Sequence, residues 1–206
     1  MKRNFLQIAG MFALLAVLAT SCKKDSETLS PSLKTTNNTA VIPVNSVVTG
    51  AFTSPLSSPG GSAGNWGDVY FDLANNTTTT AAGAQALFNG TFDGNINANS
   101  DYKLAYADIN STTLETVTKS AFTALNTKSA ATLGSNTSVA GWYAYDVVSH
   151  SSIAVPNRYV VVYKGSSVAS ATELYVLQII TVGYTVDPAA AGRFFGQISF
   201  NYKKLV

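Results

Sequence analysis

Short runs of alternating or crowded β-formers recur from residue 45 to the C-terminus, and they decide the fold class of this chain. In Asp68–Leu73, the residues Val69, Phe71 and Leu73 alternate with Asp68, Tyr70 and Asp72. Tyr102, Leu104, Tyr106 and Asp108 alternate with Lys103, Ala105, Ala107 and Ile109. A period of two puts every second side chain on the same face of a strand. Gly141–Val147 is rich in aromatics, and Arg158–Lys164, Glu173–Tyr184 and Arg193–Tyr202 are rich in Val, Ile, Tyr and Phe, as strands should be. Turn-type stretches after Tyr163 and at Asp187–Gly192 join the last three runs, which predicts an antiparallel meander. An earlier short strand is expected over Asn45–Phe52, set off by the Ser-, Pro- and Gly-rich loop Ser54–Asn65.

One segment breaks the strand period. Leu114, Val117, Ala121, Phe122 and Leu125 fall on one helical face, and Thr112 with Glu115 three residues later fits a capping box. The expectation is therefore a mainly β domain, a sandwich of antiparallel sheets, with one amphipathic helix at about Thr113–Asn126 packed on a sheet and a minor α+β character. No internal repeat is evident.

The N-terminus reads as an export and anchoring signal. Lys2 and Arg3 precede an apolar run from Ile8 to Ala19, and the small residues Ala19, Thr20 and Ser21 lead to Cys22. At roughly 12 residues the run is too short to span a bilayer, which takes about 20. Cys22 is the sole cysteine, so no internal disulfide exists. Leu18-Ala19-Thr20-Ser21-Cys22 resembles a bacterial lipobox, in which the thiol takes a diacylglycerol and the Cys becomes the new N-terminus, with Ala19 where Leu is commonest. Buried methylenes contribute about 0.8 kcal/mol each, so several acyl chains on one Cys anchor stably. Lys23, Lys24, Asp25 and Glu27 resemble the charged signals that carry some lipoproteins to the cell surface. The organisation expected is a signal peptide over 1–21, a polar tether over 22–45 and a single domain over 46–206, lipid-anchored and surface-exposed at an outer membrane.

Cleavage changes the inventory. Losing Lys2 and Arg3 takes the basic residues from 13 to 11, equal to the 11 acidic ones, so the mature chain is formally neutral. No basic cluster with interleaved aromatics remains, which argues against a nucleic-acid partner. Met1 and Met11 leave with the signal, and His150 is the only histidine. One His without partners makes no ordinary zinc site, so no metal site is expected. No Gly-x-Ser-x-Gly elbow or phosphate-binding glycine loop is present, and no catalytic residues are assigned; an enzyme is not expected.

Several segments together resemble the HmuY family of haem-binding lipoproteins. Asn65-Trp66 followed by Val69–Leu73 is similar to that family's early strand, and Asp101–Ala105 to its next landmark, with Tyr102 roughly where the family has Trp. Gly141-Trp142-Tyr143 and Tyr145 leading to His150 and then Arg158–Val162 is the best match. Glu173–Ile179 and Gln197–Tyr202 resemble its last hairpin, so the similarity covers most of 46–206. The resemblance implies a surface lipoprotein that binds haem or a related small ligand and passes it to an outer-membrane receptor. In haem-binding members two His side chains hold the iron, and related proteins substitute Met. Neither pair exists in this mature chain, and the segment carrying the family's first ligand is missing where Ile109–Glu115 passes from strand towards the expected helix. What the resemblance leaves is His150, alone or with a tyrosine, since Tyr can ligate haem iron. Tyr143, Tyr145 and Tyr106 are the candidates. The plainer readings are a surface-loop His150 among Ser149, Ser151 and Ser152, and tyrosines that fill a core. The alternative function is a non-catalytic surface module for a protein or glycan partner.

Overall fold

The computed structural model describes residues 41–60, 64–110, 112–135, 141–146, 148 and 151–206. All of them lie in one compact unit, Leu33–Val206; a second unit, Met1–Ser32, lies outside the described residues, as does Cys22. Fourteen strands are described: β1 (Val47–Thr53), β2 (Ser58–Pro59), β3 (Val69–Asp72), β4 (Thr77–Thr79), β5 (Ala86–Asn89), β6 (Asn95–Ala98), β7 (Tyr102–Asp108), β8 (Thr127–Ala130), β9 (Thr132–Ser135), β10 (Gly141–Asp146), β11 (Ser151–Ala154), β12 (Arg158–Lys164), β13 (Glu173–Val186) and β14 (Arg193–Lys204).

They form two sheets. The first runs β1-β14-β13-β12-β7-β8, with β2 paired to the start of β14. The second runs β11-β10-β9-β6-β5-β3-β4. Every pairing is antiparallel except β9 with β10. The mainly β expectation holds, and the last three strands form the expected meander, β12 pairing with β13 and β13 with β14.

Both sheets send apolar side chains into one interior. Phe200 from β14 stacks on Phe88 from β5, ring centres 5.3 Å apart, and meets Phe71 from β3 edge-on at 5.2 Å. Ile198, Phe200 and Tyr202 alternate inward along β14, while Val69, Phe71, Phe88, Ile96, Leu133 and Trp142 answer from the second sheet. Such large side chains each contribute roughly 1.5–3 kcal/mol by leaving water. A second apolar layer covers the outer face of the first sheet: Tyr159, Val161, Tyr163, Leu174 and Val176 pack beneath Leu114, Val117, Phe122, Val168 and Ala171. The centre of β12 is therefore buried on both faces, which is why its sequence is a continuous Val-Val-Val run rather than an alternation.

The expected helix at 113–126 does not form. That segment is a set of turns around a short 3-10 helix, Lys119–Ala121. Leu114, Val117 and Phe122 still reach the sheet, but Leu125 is 97% exposed. Hydroxyl and amide side chains take the main-chain partners a helix would need. Thr113 N donates to Thr116 Oγ1 at 3.1 Å, Thr123 N to Asn126 Oδ1 at 2.9 Å, and Asn126 Nδ2 to the Ala121 carbonyl at 2.8 Å. Thr112 pairs its hydroxyl with Tyr159 instead of capping. The buried Lys203 ammonium donates to the carbonyls of Glu115 and Val117 at 2.8 and 3.1 Å, holding both out of a helical ladder.

At the other end of the described chain, Ile42 is buried in the interior and its N–H donates to the Ala74 carbonyl at 2.7 Å. Among the described residues no helix is long and apolar enough to cross a membrane.

Candidate functional site

The segment that best carries the family resemblance folds as a hairpin. Tyr143 pairs with Ala154, Tyr145 with Ser152 and Asp146 with Ser151. The residues joining β10 to β11 include Ser149 and His150, which lie outside the described residues. Two anchors hold the hairpin. The Trp142 indole N–H donates to the Gly94 carbonyl at 2.8 Å, and the Val182 N–H donates to Ser152 Oγ at 2.7 Å.

The three candidate tyrosines are placed differently. Tyr143 is buried, with its hydroxyl so near Gly94 that a Cβ there would sit 2.5 Å away. Burial, and then the neighbouring Tyr145, pushes the Tyr143 phenol up to about 12, so it holds its proton at neutral pH. Tyr106, on β7, is also buried. The Arg158 guanidinium lies 4.5 Å from its ring centre and the Lys128 ammonium 5.8 Å, both over its face. Arg158 in turn grips Asp108 through Nε and Nη2 at 2.7 and 2.8 Å and donates from Nη1 to the Gly141 carbonyl at 2.7 Å. That grip ties the first sheet to the start of β10 and holds the Asp108 carboxyl below its usual range. Tyr145 differs from both, at 38% exposed. Ile153 and Val148 add exposed apolar surface on the same hairpin. The hairpin thus brings Tyr143 and Tyr145 onto one strand, with Tyr106 on the facing sheet and Tyr145 alone of the three open to solvent.

Among the described residues no group of three or more His, Cys, Asp or Glu could hold a metal ion. One carboxyl is nevertheless set apart. Asp93 is fully buried, and neither of its oxygens has a hydrogen-bond partner among the described residues. Burial, and then the charge of Asp68, pushes it up to about 7. It sits in the tight turn Gly90–Gly94, where Phe92 and Asp93 both take left-handed backbone, φ 54° and 56°. Phe92 is wedged between Trp66, 4.5 Å away, and Tyr184, stacked at 5.5 Å. Its carbonyl presses on Gly196 of β14, where any Cβ would come within 2.4 Å. In sequence Asp93 is one aspartate among several; the two glycines flanking Thr-Phe-Asp are the only sign of an unusual turn. Compared with known protein families, curated proteins and solved structures, the chain matches none.

Proposed function

We propose that this protein is a lipid-anchored, surface-exposed binding protein of HmuY type, which takes haem or a related flat, apolar ligand and hands it to an outer-membrane receptor. The observation that carries this reading is the exposed Tyr145, on the strand of the hairpin whose connection contains the chain's only histidine. An apolar macrocycle would lie at the Tyr145 end of the hairpin near the exposed Val148, with His150 as the nitrogen ligand to iron and Tyr145 as the oxygen ligand, while Ile153, paired with Ala144, belongs to the other face. Tyr143 and Tyr106 support the hairpin from inside, because both are enclosed in the core. The segments on which the resemblance rests fall on β3, β7, β10, β12, β13 and β14. No group transfer is assigned; the role is capture, not catalysis.

Haemin titration tests it. Micromolar haemin added to the purified chain should give a shifted Soret band. His150→Ala should weaken binding at least tenfold, and Tyr145→Phe should remove the charge-transfer features of a phenolate ligand while leaving the fold intact. A wild-type spectrum unchanged across micromolar haemin would sink the haem reading. The second reading, a surface module for a protein or glycan partner, is favoured by an open groove beside Arg193.

A further inference from the structure

The loop after β1 folds back along the start of β14 and leaves an open groove of about 530 Å³ between them. That volume lies in the range of small-ligand sites, about 300–1,000 Å³. Pro55, Leu56, Pro59 and Phe195 give it apolar walls, and Arg193 and Asn65 bring polar groups to it. What those polar groups still have to offer is one-sided. Arg193 spends Nε on Ser57 Oγ at 3.1 Å, and Nη2 also donates to the Ser57 carbonyl. These bonds fix the plane of the guanidinium, and Nη1 has no partner among the described residues. Asn65 spends its carbonyl oxygen on the Gly67 N–H at 3.1 Å, which leaves its NH₂ to donate. The ion pairs among the described residues are Arg158–Asp108 and Lys164–Asp101, so no described carboxylate closes on Arg193. Asp187 is near enough for Ser57, and then the Arg193 charge, to help hold its carboxyl low, but it makes no ion pair with Arg193 and accepts instead from the Ala189 N–H at 2.8 Å.

A groove with apolar walls, oriented donors and a guanidinium that no described carboxylate pairs directly suits a carboxylate on a ring that turns an aromatic or C–H face to the walls. We propose that it binds a small ring carboxylate, the carboxylate facing the free edge of Arg193 with the Asn65 amide beside it, and the ring lying against Phe195 and the prolines. Nη1 and the second N–H of Nη2 form the edge turned away from Ser57, and such an edge meets a carboxylate through two parallel hydrogen bonds, which a lysine at the same place cannot reproduce. The site is separate from the β10–β11 hairpin, so it stands or falls independently of haem.

The ring acid could be a sugar or an aromatic, and the test separates these. Ligand-observed NMR on the full chain in detergent would use glucuronate and benzoate, with glucose and benzyl alcohol as neutral counterparts. One or both acids should bind, the neutral compounds should not, and the acid that binds names the source. Arg193→Lys should reduce affinity at least tenfold. Because Arg193 also anchors the loop, Asn65→Asp serves as the second variant. It keeps the acceptor for Gly67, removes the donor and adds repulsion, so it should abolish binding without shifting the melting temperature. Binding of neither acid, equal binding of the neutral compounds, displacement by sulfate as readily as by unlabelled acid, or full affinity in the Asn65→Asp variant would each overturn the assignment.

Discussion

A carboxyl group sealed from water with no donor beside it is held in its neutral form, and Asp93 shows what that does to stability. Its folded pKa of about 7 stands above the ordinary value of 3.8. Below the ordinary value both folded and unfolded chains keep the proton and the site is neutral in its effect. As pH rises from about 4 towards 7 the unfolded chain ionises first, so folding stability falls, and it levels off above the folded pKa. Asp93→Asn removes that loss. It should stabilise the protein at pH 7.5 by about 2–4 kcal/mol, taking about 1.4 kcal/mol per pKa unit, and leave stability at pH 4 nearly unchanged. Urea denaturation at the two pH values checks this; an equal effect at both would mean Asp93 does not titrate as described. At this scale, the inventory of rare residues was legible from the sequence, and exposure was not. Alternation around Tyr143 and Tyr145 names a face of β10, but only the facing sheet decides that Tyr143 is covered and Tyr145 is not. Arg193 and Asp93 gave no signal, because Arg193 is oriented by Ser57, 136 positions away, and Asp93 is set by its burial and then by Asp68, 25 positions away.

The clearest contrast between elements is the strand β12 against the segment 112–126. Arg158–Lys164 was legible to the residue because β-branched and aromatic side chains leave a buried strand few alternatives. For 112–126 the spacing correctly marked Leu114, Val117 and Phe122 as buried, yet it misjudged the backbone, because Thr and Asn side chains compete for the same main-chain groups. The short strands β4, β5, β6, β8, β9 and β11 went unread for a related reason. They are three or four residues long, with one or two on each face, too brief for a period to register. Lys203 fastens the irregular segment from below, at 3% exposure. Hydrogen bonds to a charged donor contribute about 1.5–3 kcal/mol, so Lys203→Met should lower stability by about 2–4 kcal/mol as two carbonyls lose it. Amide exchange in 112–126 should quicken far more than in β13 or β14. Unchanged protection there would show that apolar packing alone holds the segment.

For the molecule as a whole, the proposed cleavage before Cys22 would by itself produce both a formally neutral, Met-free chain and an N-terminal cysteine. Growth with a labelled fatty acid should put label on the chain, and Cys22→Ser should abolish it; label retained by that variant would remove the anchor and, with it, the surface placement. The pairing of β1 with β14 has a further consequence. Among the described residues, β1 is the first strand and pairs with β14 alone, Val47 opposite Lys203 and Thr53 opposite Gln197. A chain delivered N-terminus first, from a ribosome or through a translocon, therefore carries β1 as a loose end until almost everything else has emerged. The first sheet cannot be completed during delivery, since closing so long a loop must wait for its last strand. That delay leaves β1 unpaired until β14 emerges, which makes β14 the strand that closes the first sheet.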